Sequence, residues 1–125
     1  MNYLIRYIGI FYYNKEWAKQ LFDEILHETP PETIYKYFPN SFQIRFKDGS
    51  CLDIVNANIQ AKARRFSEIY IQDGLDVKIY QQIICPCLNL CSQRKRTSVQ
   101  VIRNAEDILM GYICAQEYYS DLKND

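Results

Sequence analysis

Hydrophobic and polar positions divide the chain into short, alternating elements. Tyr3 to Tyr13 is rich in aromatic and branched residues and predicts a strand, with Gly9 as a candidate bulge. Asn14 suits a helix N-cap. Beyond it, Trp17, Leu21, Phe22 and Ile25 recur at helical spacing, with Glu16, Lys19, Asp23 and Glu24 facing away, so a helix is expected over residues 14–28. Thr29-Pro30-Pro31-Glu32 resembles a second helix start, with Thr29 as cap, Pro30 at the first position and Glu32 closing a capping box. That helix would be brief and end near Pro39.

The middle of the chain reads as β-structure. Phe42, Ile44 and Phe46 alternate with Gln43 and Arg45, and Leu52 and Ile54 alternate with Cys51 and Asp53. Asp48-Gly49 between the two runs signals a hairpin over 41–55. After a polar stretch from Asn56 to Arg65, Ser67 to Gln72 predicts a compact apolar strand ended by Asp73-Gly74. Val77, Ile79, Tyr80, Ile83 and Ile84 suggest a helix that Pro86 ends or kinks. Cys91 to Ser98 is a polar, basic loop, Val99 to Ile102 a short strand, and Asn104 caps a final helix running through Ile108, Tyr112, Cys114 and Tyr118-Tyr119. The expected class is α+β or mixed α/β, in a single domain over residues 1–125. Its central β-sheet contains the 41–55 hairpin and is packed by helices.

Composition narrows the functions available. The 125 residues are 48% hydrophobic, enough for a core, and 15 Lys and Arg balance 15 Asp and Glu. A neutral chain has no global field for polyanions, so any phosphate or nucleic-acid binding must come from a local patch. Only four Gly and four Pro leave little material for phosphate loops or linkers. The apolar N-terminal run is short, contains Arg6 and lacks a small-residue cleavage site, so no signal peptide is expected. No run approaches the ~18 apolar residues of a membrane span. Five Cys without a disulfide framework are expected to be reduced, which points to the cytoplasm.

Most catalytic constellations are missing. There is no Gly-x-x-x-x-Gly-Lys-[Ser/Thr] loop, and His27 is the only imidazole, at the end of an amphipathic helix where it suits the helix dipole better than catalysis. The chain is therefore not expected to be an enzyme. Cys85-x-Cys87-x₃-Cys91 invites a zinc reading, but its spacing is unlike a knuckle, no fourth ligand is evident, and Cys is also a small buried hydrophobe. No metal and no cofactor are assigned.

Residues 42–76 resemble the core of phage terminase large-subunit ATPases. The resemblance rests on Lys47-Asp48-Gly49-Ser50, Ala63-Arg64-Arg65-Phe66 and the strand Ile69-Tyr70-Ile71-Gln72-Asp73. In that family an acidic pair at the strand's end holds Mg²⁺ and activates water. Here Gln72 stands in the metal-holding position and only Asp73 remains, and a carboxamide is a poor Mg²⁺ ligand. With the phosphate loop absent as well, the resemblance implies the fold without its chemistry. It further implies a phage or prophage gene, with the Ile, Lys, Asn and Tyr usage of an AT-rich host. The size is similar to that of Thoeris anti-defence sponges, which trap cyclic ADP-ribose-type signals, although no motif identifies that family.

The expectation is a non-catalytic, phage-type anti-defence protein that binds and sequesters a small phosphorylated, cyclic nucleotide. The alternatives are a nucleic-acid-binding phage protein or an inhibitor of a host enzyme. Lys62, Arg64 and Arg65 precede the central strand, where guanidinium forks suit phosphates, and Arg94, Arg96 and Arg103 flank the late strand. Asn56 and Asn58 add amides for a base or ribose, and Tyr118-Tyr119 offers a stacking surface. An exposed hairpin edge with many Tyr and Ile predicts a homo-oligomer.

Overall fold

A computed structural model describes residues 5–57, 66–85 and 98–123. The described residues form one mixed seven-stranded sheet in the order β2-β3-β4-β1-β5-β6-β7. Strand β1 (Tyr7–Tyr12) occupies the middle and pairs in parallel with β4 (Cys51–Asn56) and β5 (Glu68–Gln72). β6 (Ser98–Ile102) extends the parallel part beside β5. β2 (Ile34–Phe38) and β3 (Gln43–Phe46) continue beyond β4 as an antiparallel meander, and the two-residue β7 (Ile113–Cys114) closes the other edge. The mixed α/β class is as the sequence predicts.

Two apolar clusters hold the sheet. Helix α1 (Lys15–Glu28) starts at Asn14, whose side chain accepts the Trp17 N–H, and buries Ala18, Leu21, Phe22 and Ile25. These pack on Ile8, Ile10, Ile44, Leu52 and Ile54, all of which point to one face of β1, β3 and β4. On the opposite face, Phe11, Ile69, Ile71 and Val101 meet Leu75, Ile84, Ala115 and Tyr119. The latter come from the turn after β5, from α2 (Val77–Ile79) with its π-helical continuation Tyr80–Ile84, and from the C-terminal helix α4 (Ala115–Lys123). β1 and β5 are thus buried on both sides, as parallel strands are.

The 41–55 hairpin, the strand at 67–72 and the helix at 14–28 lie where the periodicity puts them. Three other elements do not. Thr29-Pro30-Pro31-Glu32 starts no helix: Thr29 instead caps the end of α1, donating its Oγ1–H to the Ile25 carbonyl at 2.6 Å. Pro31–Thr33 is a single 3₁₀ turn, and Ile34–Phe38 is strand β2. Its β-branched and aromatic residues find a partner in β3, and that pairing outweighs the local helix-start signal. The C-terminal helix is likewise divided in two. α3 (Ala105–Met110) stops at Gly111, whose φ of 79° side-chain-bearing residues rarely adopt, and β7 intervenes before α4.

Gly9 is the third correction, because no bulge exists there. It lies in unbroken register opposite Asp53 and Ile69. A Cβ on Gly9 would lie 2.7 Å from the Phe66 ring, which packs flat over the strand at that point. The hairpin also has no exposed edge, since β1 covers one side and β2 the other. The sheet's long free edge is β2, where Tyr35 and Tyr37 are 72% and 51% exposed. Phe42 enters β3 with φ of 54°, a strained value compensated by burying its ring against Phe22 and Tyr12 at 5.7 and 6.1 Å.

The contact between Gly9 and Phe66 is testable. Gly9→Ala should destabilise the protein by roughly 1–3 kcal/mol through overpacking. Trimming the ring in Gly9→Ala/Phe66→Leu should recover part of that loss relative to the sum of the single changes, as read from urea denaturation midpoints.

Candidate functional site

β1 and β5 are neighbours, yet their continuations diverge. β1 leads into α1 on one face, and β5 leads into α2 on the other. In open parallel sheets the crevice between two such strands, at their carboxyl ends, is where ligands are received. Here it is bounded by Tyr13 and Asn14 after β1 and by Gln72, Asp73 and Gly74 at the end of β5.

Internal hydrogen bonds occupy much of this crevice. Gln72 is buried, and its Oε1 accepts the backbone N–H groups of Tyr13 at 2.9 Å and Asn14 at 3.1 Å. The Tyr13 hydroxyl donates to the Asp73 carbonyl at 2.9 Å. The Tyr118 hydroxyl, arriving from α4, donates to Asp73 Oδ1 at 2.8 Å and accepts the Gly74 N–H at 3.0 Å. Burial, then the bond to Asp73, holds the Tyr118 phenol above its ordinary pKa, so it stays a donor at neutral pH. Gln72 therefore serves the turn from β1 into α1. A glutamine does this without placing a second carboxylate beside Asp73.

Of the basic and amide residues assigned to ligand binding from the sequence, Asn56 and Arg103 are described, and both lie at this carboxyl edge. Asn56 ends β4 opposite Tyr12. Arg103 follows β6, and its guanidinium binds Asp107 through two contacts, 2.9 Å to Oδ2 and 3.0 Å to Oδ1, while lying 4.0 Å from the centre of the Tyr112 ring. The Arg103 N–H also donates to Asp107 at 2.8 Å. The same corner is tied to α1, because Trp17 Nε1–H donates to the Arg103 carbonyl at 2.8 Å. Asn58, Lys62, Arg64, Arg65, Arg94 and Arg96 lie outside the described residues, as do Cys87 and Cys91. The structure thus brings Asn56 and Arg103 to one edge of the sheet.

Tyr119 is not a surface platform. It is 3% exposed, stacks on Tyr80 with ring centres 4.2 Å apart, and donates its hydroxyl to the Leu75 carbonyl at 3.0 Å. Cys85 is half-buried with a free thiol, and among the described residues no cluster of metal-ligating side chains occurs. A depression of about 580 Å³ on the outer face of α1 is lined by Glu16, Asp23, Glu24 and Glu28 against Lys19 and His27, an acidic surround unsuited to phosphate. No described helix is long and apolar enough to cross a membrane. The sequence offered no sign of Tyr13 or Tyr118 as partners of the β5 turn, since those contacts span 60 and 45 positions. Comparison with family models, curated proteins and solved structures finds no match to this chain.

Two outcomes test this geometry. Gln72→Leu removes the acceptor of two part-buried N–H groups, so it should cost about 1–3 kcal/mol for each donor that stays dry and less for one that water reaches, as read by chemical denaturation. The Asp107 carboxyl is held below its ordinary pKa, chiefly by the hydrogen bond from Arg103. A depressed folded-state pKa contributes stability above the unfolded value near 4, and that contribution is lost as pH falls through the lower folded value. Asp107→Asn should therefore lower the melting temperature at neutral pH, and its deficit against wild type should shrink below about pH 4.

Proposed function

We propose that this chain is a non-catalytic, phage-type accessory protein that binds and sequesters a small phosphorylated nucleotide, an anti-defence role. The observation that carries the reading is the divergence of β1 and β5. It makes the carboxyl edge the receiving side of the sheet, and Asn56, at the end of β4, and Arg103, just after β6, sit on that edge. Arg64 and Arg65, with Lys62, supply the charge-assisted forks for phosphate, and Asn56 and Asn58 supply amides for ribose or base. Arg94 and Arg96 add a second basic contribution ahead of β6. The 15 basic and 15 acidic residues leave no net field, so the anion is held by a local group of basic side chains.

Non-catalytic behaviour is supported by what Gln72 does. In the terminase-like arrangement the position holds a metal-binding carboxylate; in this chain it is an amide whose oxygen is already shared by two backbone donors. Incubation with ATP or GTP and Mg²⁺ should release no phosphate above a buffer control.

A thermal-shift screen against nucleotides, cyclic nucleotides and inorganic phosphate tests the binding, since a tight ligand raises the melting temperature by mass action. Loss of one buried Arg–phosphate contact costs roughly 2–4 kcal/mol, about 30- to 1,000-fold in affinity. Arg64→Ala and Arg65→Ala should each show such a loss by titration calorimetry, and Arg64→Lys should recover part of it. Wild-type affinity in both alanine variants would overturn the assignment of this segment.

A further inference from the structure

The two faces of the sheet are covered unequally. α1 covers one face of β1, β3 and β4, where Ile44, Leu52 and Ile54 are at most 4% exposed. On the other face, α2 and α4 pack over the β5 and β6 side. No described helix covers that face of β2, β3 and β4. The register shows what lies there. Tyr7, Cys51, Arg45 and Lys36 form one row across β1, β4, β3 and β2. Asp53, Gln43 and Phe38 form the next row, beginning at Gly9. Gly9 alone among these is buried.

This face combines cations with a half-buried ring. Lys36 Nζ and the Arg45 guanidinium lie 5.1 and 5.8 Å from the centre of the Phe38 ring. Neither cation has an ion-pair partner among the described residues. β2 and β3 contain no acidic side chain, and Asp53 in the neighbouring strand is engaged in an interaction of its own. Tyr7, at 43% exposure, adds a second aromatic at the end of the first row.

We propose that this open face binds single-stranded nucleic acid, with Lys36 and Arg45 at phosphates and Phe38 stacking on a base. The charge pattern calls for an anion. The ring calls for a planar partner with an exposed π-face, which a duplex keeps inside its stack. The two rows run across four strands, an extended surface suited to a strand lying across it rather than to an enclosed small molecule. It is separate from the carboxyl edge, and the inference does not rest on the nucleotide reading.

Fluorescence anisotropy with a labelled oligothymidylate of about 12 nucleotides provides the test. Wild-type protein should bind at about 50 mM salt, with log K falling linearly with log salt. Lys36→Gln/Arg45→Gln, at two exposed positions, should weaken binding and flatten the slope by about 1.4, two phosphate contacts on a single strand. Phe38→Leu should weaken binding roughly 5- to 100-fold at all salt concentrations. Lys19→Gln, on the outer face of α1, should bind like wild type. Ultraviolet crosslinking of the wild-type complex should mark a peptide from β2–β3, which tests the surface without relying on a folded variant. The proposal is overturned by absence of binding, by an unchanged slope in the double variant, by a duplex binding as tightly as the single strand, or by crosslinks confined to residues 58–65.

Discussion

The fold depends on β1 being held between two parallel neighbours. Its six residues contact β4 over their whole length and β5 over four positions, so both edges are satisfied and both faces are covered. This double burial explains its composition. Ile8, Ile10 and Tyr12 serve the α1 cluster, Phe11 serves the opposite cluster, and Gly9 lets the Phe66 ring lie against the backbone. A larger residue at Gly9 would push Phe66 away and open the cluster that anchors β5. The central strand thus fixes the position of both layers that pack on it.

Where β1 ends, one side chain joins three elements. Gln72 is the last residue of β5, and its oxygen receives the amides that carry the chain from β1 into α1. Nearby, Tyr13 and Tyr118 reach the same β5 turn from two different elements. A carboxylate in place of the Gln72 amide would also accept these bonds, but it would stand next to Asp73 with no described cation bound to either. The amide keeps the joint while lowering the local negative charge. This makes the carboxyl edge a structural seam, tied to β1, β5, α1 and α4 by side-chain hydrogen bonds.

Much of the framework was legible from the sequence, because it arises from local periodicity. The Trp17–Leu21–Phe22–Ile25 stripe, the Asp48-Gly49 turn and the Ile69–Ile71 run each encode their element within a few residues. The misread elements are those settled by distant partners. Ile34–Phe38 is a strand because β3 lies beside it, and the segment after Asn104 is broken because β7 pairs with β6. Gly9 was legible as unusual but not as a contact, since Phe66 lies 57 positions away. The site was less legible than the fold. Charge clusters identified basic segments, but the Arg103–Asp107 pair shows that an arginine singled out by composition can already hold a carboxylate at four positions' distance.

The uneven coverage of the sheet follows from how the chain is distributed. Three consecutive strands, β2, β3 and β4, join through tight turns and contribute no helix between them. The one helix on that side, α1, precedes them and can cover only one face. An antiparallel meander tolerates an open face, provided its alternation is strict, and β4 shows this in its sequence of half-buried Cys51, Asp53 and Val55 against buried Leu52 and Ile54. Lys36 and the irregular register around it also blunt the free edge of β2 against pairing with another sheet. Selection against edge-to-edge association accounts for a lysine at that edge. It does not account for an arginine beside it on the inner strand β3, or for both cations converging on the same half-buried ring, where each gains the attraction of the ring's π-face.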